Sequence, residues 1–178
     1  MRPVNLRLSA AGSSPWVPLN RLQTSYKVAL GVVLSSGAVL TYAIQYTMDD
    51  FQDPANLTQE FTASRTTTVL TITKVNHGLS VGDYVKTWAL GAGLDTEGSV
   101  ASVVDADNFT VTVADEGAAS QVPQVGWLQT ARIFNHATMA GLSASSSGDF
   151  SAPPVACRLT ITAYTSGFAD LSVIQGRG

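Results

Sequence analysis

Two histidines, one cysteine and a scatter of carboxylates are the side chains of this chain with the reactivity to do chemistry. His77 stands in KVNHGLSVGDYV (74–85), with Gly82 and Asp83 shortly after it. A loop histidine near a carboxylate is the raw material of a general base or a metal ligand. His136 sits in a similar Asn-His setting. Neither has a second His or Cys at the spacing of a zinc site. Asp49, Asp50 and Asp53 cluster ahead of Pro54 without the glycine-centred loop of a calcium-binding helix pair. An acidic turn is the expectation there, with no metal and no cofactor. Asn76 and Gly78 favour left-handed backbone at a turn. The stretch therefore reads as a connection, with His77 exposed or hydrogen-bonded to the turn, and with Leu79, Val81, Tyr84 and Val85 making apolar contacts around a second turn at Gly82-Asp83.

Nucleophilic catalysis needs an activated Ser or Cys beside a base. No G-x-S-x-G elbow is present, and Cys157 lies in a strand pattern, where a small buried hydrophobe is the usual role. GAGLDTEG (91–98) lacks the Lys-Ser/Thr of a phosphate loop, and no helix follows it. The remaining acids fall at turns, where solvated Asp commonly sits. These readings predict a protein that is not an enzyme. Basic residues are scattered singly, and Tyr84, Trp88 and Phe109 lie in an acidic stretch that repels phosphates, so direct nucleic-acid binding is not expected. Trp88 and Trp127 are the plausible aromatic platforms if the chain binds carbohydrate.

Those residues must be held by something, and composition says what kind of body holds them. Of 178 residues, 45% are hydrophobic and only 13% charged, about half the usual charged share. Eighteen Ser and nineteen Thr fill the deficit. A surface of hydroxyls and small residues suits a protein packed against neighbours, because charge is depleted in interface cores. The net charge of −3 provides no basic field for nucleic acid or an anionic membrane. Residues 28–44 are interrupted by Ser35-Ser36-Gly37, so no apolar run of about 18 residues survives to span a bilayer. The single cysteine excludes an intrachain disulfide. The N-terminus has no apolar stretch of signal-peptide length.

Period two dominates the chain. In AVLTYAIQYT, Leu40, Tyr42, Ile44 and Tyr46 share a face, the alternation of a half-buried strand. YKVALGVVL precedes it across SSG, and CRLTITAYT with Leu159, Ile161 and Ala163 on one side is followed across Ser166-Gly167 by FADLSVIQ. Both pairs read as hairpins. In the middle, TTTVLTIT, DYVKTWAL, GSVASVV and NFTVTV are four short strand candidates, the last two joined by a tight Asp105–Asn108 connection. The fold class is all-β, a sandwich or small barrel.

Residues 60–122 hold eight acids against three bases, and the rest of the chain holds five against seven. Proline-containing polar stretches at 49–57 and 117–124 flank this acidic segment. The expected organisation is a sandwich from 1–57 plus 124–178, with an N-terminal arm, and an inserted acidic β-barrel-like module at 58–123. Residues 135–154 read as a long Ser/Gly/Ala loop. The first 24 residues read as an extended arm that lies on its own domain or on a neighbour, with Trp16, Val17 and Leu19 as the expected inter-subunit contacts.

Two blocks carry a resemblance. The first is SPWVPLNRLQTSYKVALGVVLSSGAVLTYAIQYTMDDF, with its W-x-P-L, G-V-V-L and Y-x-I-Q-Y-T-x-D-D elements. The second is IFNHATMAGLSASSSGDFSAPPVACRLTITAYTSGFADLSVIQGRG, with R-L-x-I-T-x-Y-T-S-G and V-I-Q-x-G. Together they cover about half of the chain, and the chain thereby resembles virion structural proteins of tailed bacteriophages; H-G-L-S-V-G-D-Y-V and N-F-T-V-T-V are similar to small β modules of phage structural proteins. The resemblance implies a jelly-roll-like antiparallel β-sandwich that decorates or cements a capsid. It implies manufacture in the host bacterial cytoplasm, a place on the outer surface of the virion, and the major capsid protein lattice as partner. A homodimer or homotrimer at a local axis goes with that role. A tail, collar or head–tail adaptor component that attaches a fibre is the alternative within the virion, and a carbohydrate-binding β-sandwich the alternative outside it.

Overall fold

The computed structural model describes residues 3–20, 27–50, 57–91, 93–114, 118–121, 126–150, 152 and 154–176. They form an all-β chain that divides into two compact units, Met1–Met48 with Phe134–Gly178, and Asp49–Ile133.

The first unit is a two-sheet sandwich. One sheet has the order β1 (Val4–Leu8), β17 (Ala169–Gln175), β4 (Val28–Leu34), β15 (Ser146–Phe150). The other has the order β14 (Phe134–Leu142), β5 (Val39–Thr47), β16 (Ala156–Ser166), β2 (Gly12–Ser13), with β3 (Val17–Pro18) also on β16. With β2 and β3 counted as one interrupted strand, this unit has eight strands. In the chain order of this unit, one sheet then reads first, eighth, third, sixth, and the other second, seventh, fourth, fifth. Such alternation of successive strands between two facing sheets is the double Greek key of a jelly roll. Leu40, Tyr42 and Ile44 of β5, Cys157, Leu159 and Ile161 of β16, Leu30 and Val32 of β4, and Leu171 and Val173 of β17 fill the core between the sheets.

Four sequence expectations change here. The connections at 35–38 and 166–168 are not hairpin loops, because β4 pairs with β17 and β5 with β16, so each crosses from one sheet to the other. Strand alternation cannot separate these cases, since a hairpin and an arch both point alternate apolar residues at one core. The two arches lie side by side: Ser35 N–H donates to Phe168 O at 3.0 Å and Phe168 N–H to Ser35 Oγ at 3.0 Å. Ala163 does not share the inner face of Leu159 and Ile161, because the register shifts between Ile161 and Ala163. A bulge of this kind re-aims every later side chain, and Ala163 is exposed.

The stretch 135–154 is not a loop. It supplies most of β14 and all of β15, placing His136, Met139 and Phe150 inward between exposed small residues. Of the N-terminal 24 residues, the described residues 3–20 lie on the chain's own sandwich rather than on a neighbour. β1 pairs with β17 from Val4↔Val173 to Leu8↔Ala169, and β2 and β3 pair with β16. Arg7 Nε and Nη2 each reach an Asp170 carboxylate oxygen at 2.7 Å, and Ser14 Oγ accepts the Leu159 N–H at 3.1 Å.

The second unit is wider than the 58–123 expected, because β6 (Leu57–Thr58) and β13 (Trp127–Ala131) belong to its sheet. Its eight strands run in the order β12 (Ala119–Gln121), β7 (Thr62–Thr66), β8 (Val69–Thr73), β11 (Asn108–Thr112), β10 (Thr96–Val103), β9 (Tyr84–Trp88), β13, β6. β10 is shared between the two halves of the sheet. Its first half pairs with β9 and its second with β11, with a register shift between Val100 and Ser102. The sheet is a curled half-barrel around Phe61, Leu70, Ile72, Val85, Leu94, Phe109 and Leu128. With these bounds the charge division sharpens: the module holds eleven acids and four bases, −7, and the sandwich two acids and six bases, +4, which together give −3.

The module replaces a hairpin loop. β5 and β14 are sheet neighbours with Phe134 opposite Tyr46, so the chain ends left by removing the module, Met48 and Phe134, lie within reach of a short loop. Excision of 49–133 with a short Gly/Ser bridge should leave a sandwich with one cooperative thermal transition. Loss of that transition in calorimetry would show that the sandwich depends on the module.

Candidate functional site

The residues that looked most reactive are structural. Asn76 and Gly78 both have left-handed backbone, φ 50° and 62°. His77 is buried rather than exposed, 9% accessible. Its Nε2 lies 3.0 Å from the Asp105 carbonyl and its Nδ1 accepts the Leu79 N–H at 3.0 Å, which places the ring hydrogen on Nε2. The ring packs edge-on against Phe109 at 4.9 Å between centroids. His136 repeats the arrangement in the sandwich, with Nε2 2.9 Å from Asp149 O, Nδ1 facing the Thr138 N–H at 3.3 Å and an edge contact to Phe150. In both, one ring ties two backbone segments together and both nitrogens are engaged. The Asn-His dipeptides are two copies of one packing device.

The carboxylates are occupied in the same way. Asp83 is buried and accepts the Ser80 N–H at 2.7 Å and the Ile133 N–H at 2.9 Å, fastening the Gly82-Asp83 turn to the strand end that leaves the module. Asp49 accepts from Arg132 at three points: the backbone N–H at 2.6 Å, Nη2 at 2.8 Å and Nε at 3.2 Å. Burial alone would raise the Asp49 carboxyl, but the Arg132 hydrogen bonds and charge outweigh it and hold the group below its ordinary range. This clasp joins the first and the penultimate residues of the module. Of its neighbours in the predicted acidic turn, Asp53 lies outside the described residues. Asp105 caps the β10–β11 turn through Asp107 N–H and Asn108, and the Asn108 amide is the main cause of its lowered pKa. Ahead of β10, Asp95 accepts the Leu90 N–H, Leu94 is fully buried, and the Arg65 guanidinium donates to the Gly93 carbonyl. Cys157 is fully buried, and burial pushes its thiol up to about 12, which removes the thiolate that reactivity requires. Among the described residues no group of three or more His, Cys, Asp or Glu comes together.

The interface residues read from the sequence turn out differently. Val17 and Leu19, at 3% and 7% accessible, belong to the chain's own core. They have no apolar surface to offer a neighbour, because β3 is hydrogen-bonded into the sandwich. Trp16 is partly buried under the Arg158 guanidinium, 4.4 Å from its ring centroid. Arg158 Nε in turn donates to Gln45 Oε1 at 3.0 Å, the acceptor that Thr160 Oγ1 also reaches.

Two outward surfaces remain. On the β1-β17-β4-β15 sheet, the outer face carries the row Asn5, Ser172, Gly31 and Ser147, with Ala29 beside it. Its charged side chains are Arg7 and Asp170, which pair with each other at one side, and the exposed Asp149 beside Ala29. The second surface is on the module. Trp88 and Trp127 are directly opposed on β9 and β13, with ring centroids 6.5 Å apart and planes 21° from parallel. Both are partly exposed, while Val85 and Leu128, of opposite parity, point into the core. The sequence contained both tryptophans but nothing in it paired them. No protein-family model matches this chain, and no curated protein matches it in sequence.

Proposed function

We propose that this chain is a non-enzymatic structural protein of a tailed-phage virion, a decoration or cement protein that docks on the major capsid protein lattice from outside. The observation that supports it most is the outer sheet face of the jelly roll. The row of Asn5, Ser172, Gly31 and Ser147 is made of small or polar uncharged residues, and the whole sandwich holds eight charged residues. Interfaces deplete charge at their centres and need close approach, and small side chains allow it. Placement on the shell rather than at a tail, collar or adaptor, and a homodimer or homotrimer, are parts of the same proposal.

A cement protein binds the assembled lattice and not the separated subunit, so it stabilises the lattice by mass action. Purified protein should co-sediment with native shells, raise the temperature at which they break open, and ignore dissociated capsid subunits. Labelled protein confined to a single vertex would overturn the cement role in favour of the tail or collar.

A further inference from the structure

The tryptophan pair of the module has a polar counterpart beside it. Two residues along the same strands, Lys86 stands opposite Gln129, and Lys86 is also opposite Glu97 of β10. Parity puts all three on the face that carries Trp88 and Trp127, since Val85, Thr87, Leu128 and Thr130 between them are buried. At about 3.4 Å per residue, the polar row lies ~7 Å from the indoles, beside anything stacked on them. Lys86 Nζ and Glu97 Oε2 are 2.9 Å apart, so the row has no local net charge.

We infer that this face binds a neutral saccharide. The apolar C–H face of a pyranose stacks on an indole, while its ring hydroxyls need donors and acceptors at the rim. Lys86 is a donor, Glu97 an acceptor and Gln129 both. An aromatic platform with polar groups on the same face offers both kinds of contact. Charge narrows the class. The module carries −7, which repels nucleic acid and anionic glycans that also stack on aromatic platforms. The neutral Lys86–Glu97 row adds no attraction for either. This inference does not rest on the virion assignment, and it makes the module a recognition element rather than a spacer.

The test is affinity electrophoresis and tryptophan fluorescence of the full chain against neutral probes: dextran, galactomannan, cellohexaose and oligomers of N-acetylglucosamine. Retardation and a fluorescence change are expected with at least one of them. Trp88→Ala and Trp127→Ala should each weaken that binding at least tenfold, while Trp88→Phe retains part of it. Gln129→Ala should weaken binding with the thermal transition unchanged, which separates loss of contact from loss of fold. No response to any neutral probe at millimolar concentration overturns the inference. So does response to anionic polysaccharides alone, or binding that survives both alanine variants. A fluorescence change on adding capsids but on adding no saccharide would assign the face to protein docking and overturn it equally.

Discussion

Removal of residues 1–20 should leave a chain whose module folds and whose sandwich does not. The deletion takes β1, β2 and β3 from the edges of both sheets, and with them the buried Val17 and Leu19. Those two side chains alone contribute about 1.5–3 kcal/mol each. Leu6 and Leu8 pack partly on the same core, and the cross-strand bonds from Ser14 to Leu159 and from Leu19 to Val155 go as well. Against a domain stability of about 5–15 kcal/mol, the sum removes most or all of the margin. Circular dichroism should show one surviving transition, belonging to 49–133, and limited proteolysis should degrade the rest. If the segment were a docking arm, the truncated chain would melt normally and only its association would suffer. A full-length-like melt would therefore restore the arm.

Gly167→Ala should be among the most damaging single substitutions in the sandwich. Gly167 has φ +91°, and a Cβ there would sit 2.7 Å from Ala38 Cα, Ala38 Cβ and Ser35 Oγ. All three atoms belong to the neighbouring arch, whose position is fixed by reciprocal hydrogen bonds between Ser35 and Phe168. Backbone strain of about 1–3 kcal/mol adds to a steric term of similar size. A loss of about 3 kcal/mol or more is expected. Gly37→Ala is the matched control, because Gly37 has φ +71° but open space around its missing Cβ. It should cost only about 1 kcal/mol. Equal losses at the two positions, read from denaturant midpoints at constant slope, would mean that the arches do not interlock as described.

Much of the fold could be read from the residues, and the reasons for the rest are physical. Leu40, Tyr42 and Ile44 announce β5 because alternate side chains of a half-buried strand must be apolar. β7 carries Ala63 and Arg65 on its buried side, and the Gly93 carbonyl, distant in sequence, accepts from the buried arginine. β14 and β15 expose Ser, Ala and Gly, and their strand character comes from pairing with β5 and β4 rather than from local propensity. The same distinction explains the site. The carbonyl partner of each histidine's Nε2, or the pairing of Trp88 with Trp127, depends on long-range register, which side-chain types along the chain do not encode by themselves.

The clasp between Asp49 and Arg132 also bears on the order in which the molecule is made. Every strand of the module lies in one uninterrupted segment, so it can fold as soon as that segment has left the ribosome. The sandwich cannot: Leu8 waits for Ala169, and β5 waits for β16. Joining such distant strands directly would carry the closure entropy of a long flexible loop. Once the module has formed, the arginine–carboxylate contact holds its two ends together, and Tyr46 and Phe134 meet as if separated by a tight turn. The insertion thereby shortens the search that the surrounding jelly roll must make, and a substitution at Arg132 should register in the refolding rate of the sandwich, a unit to which it does not belong.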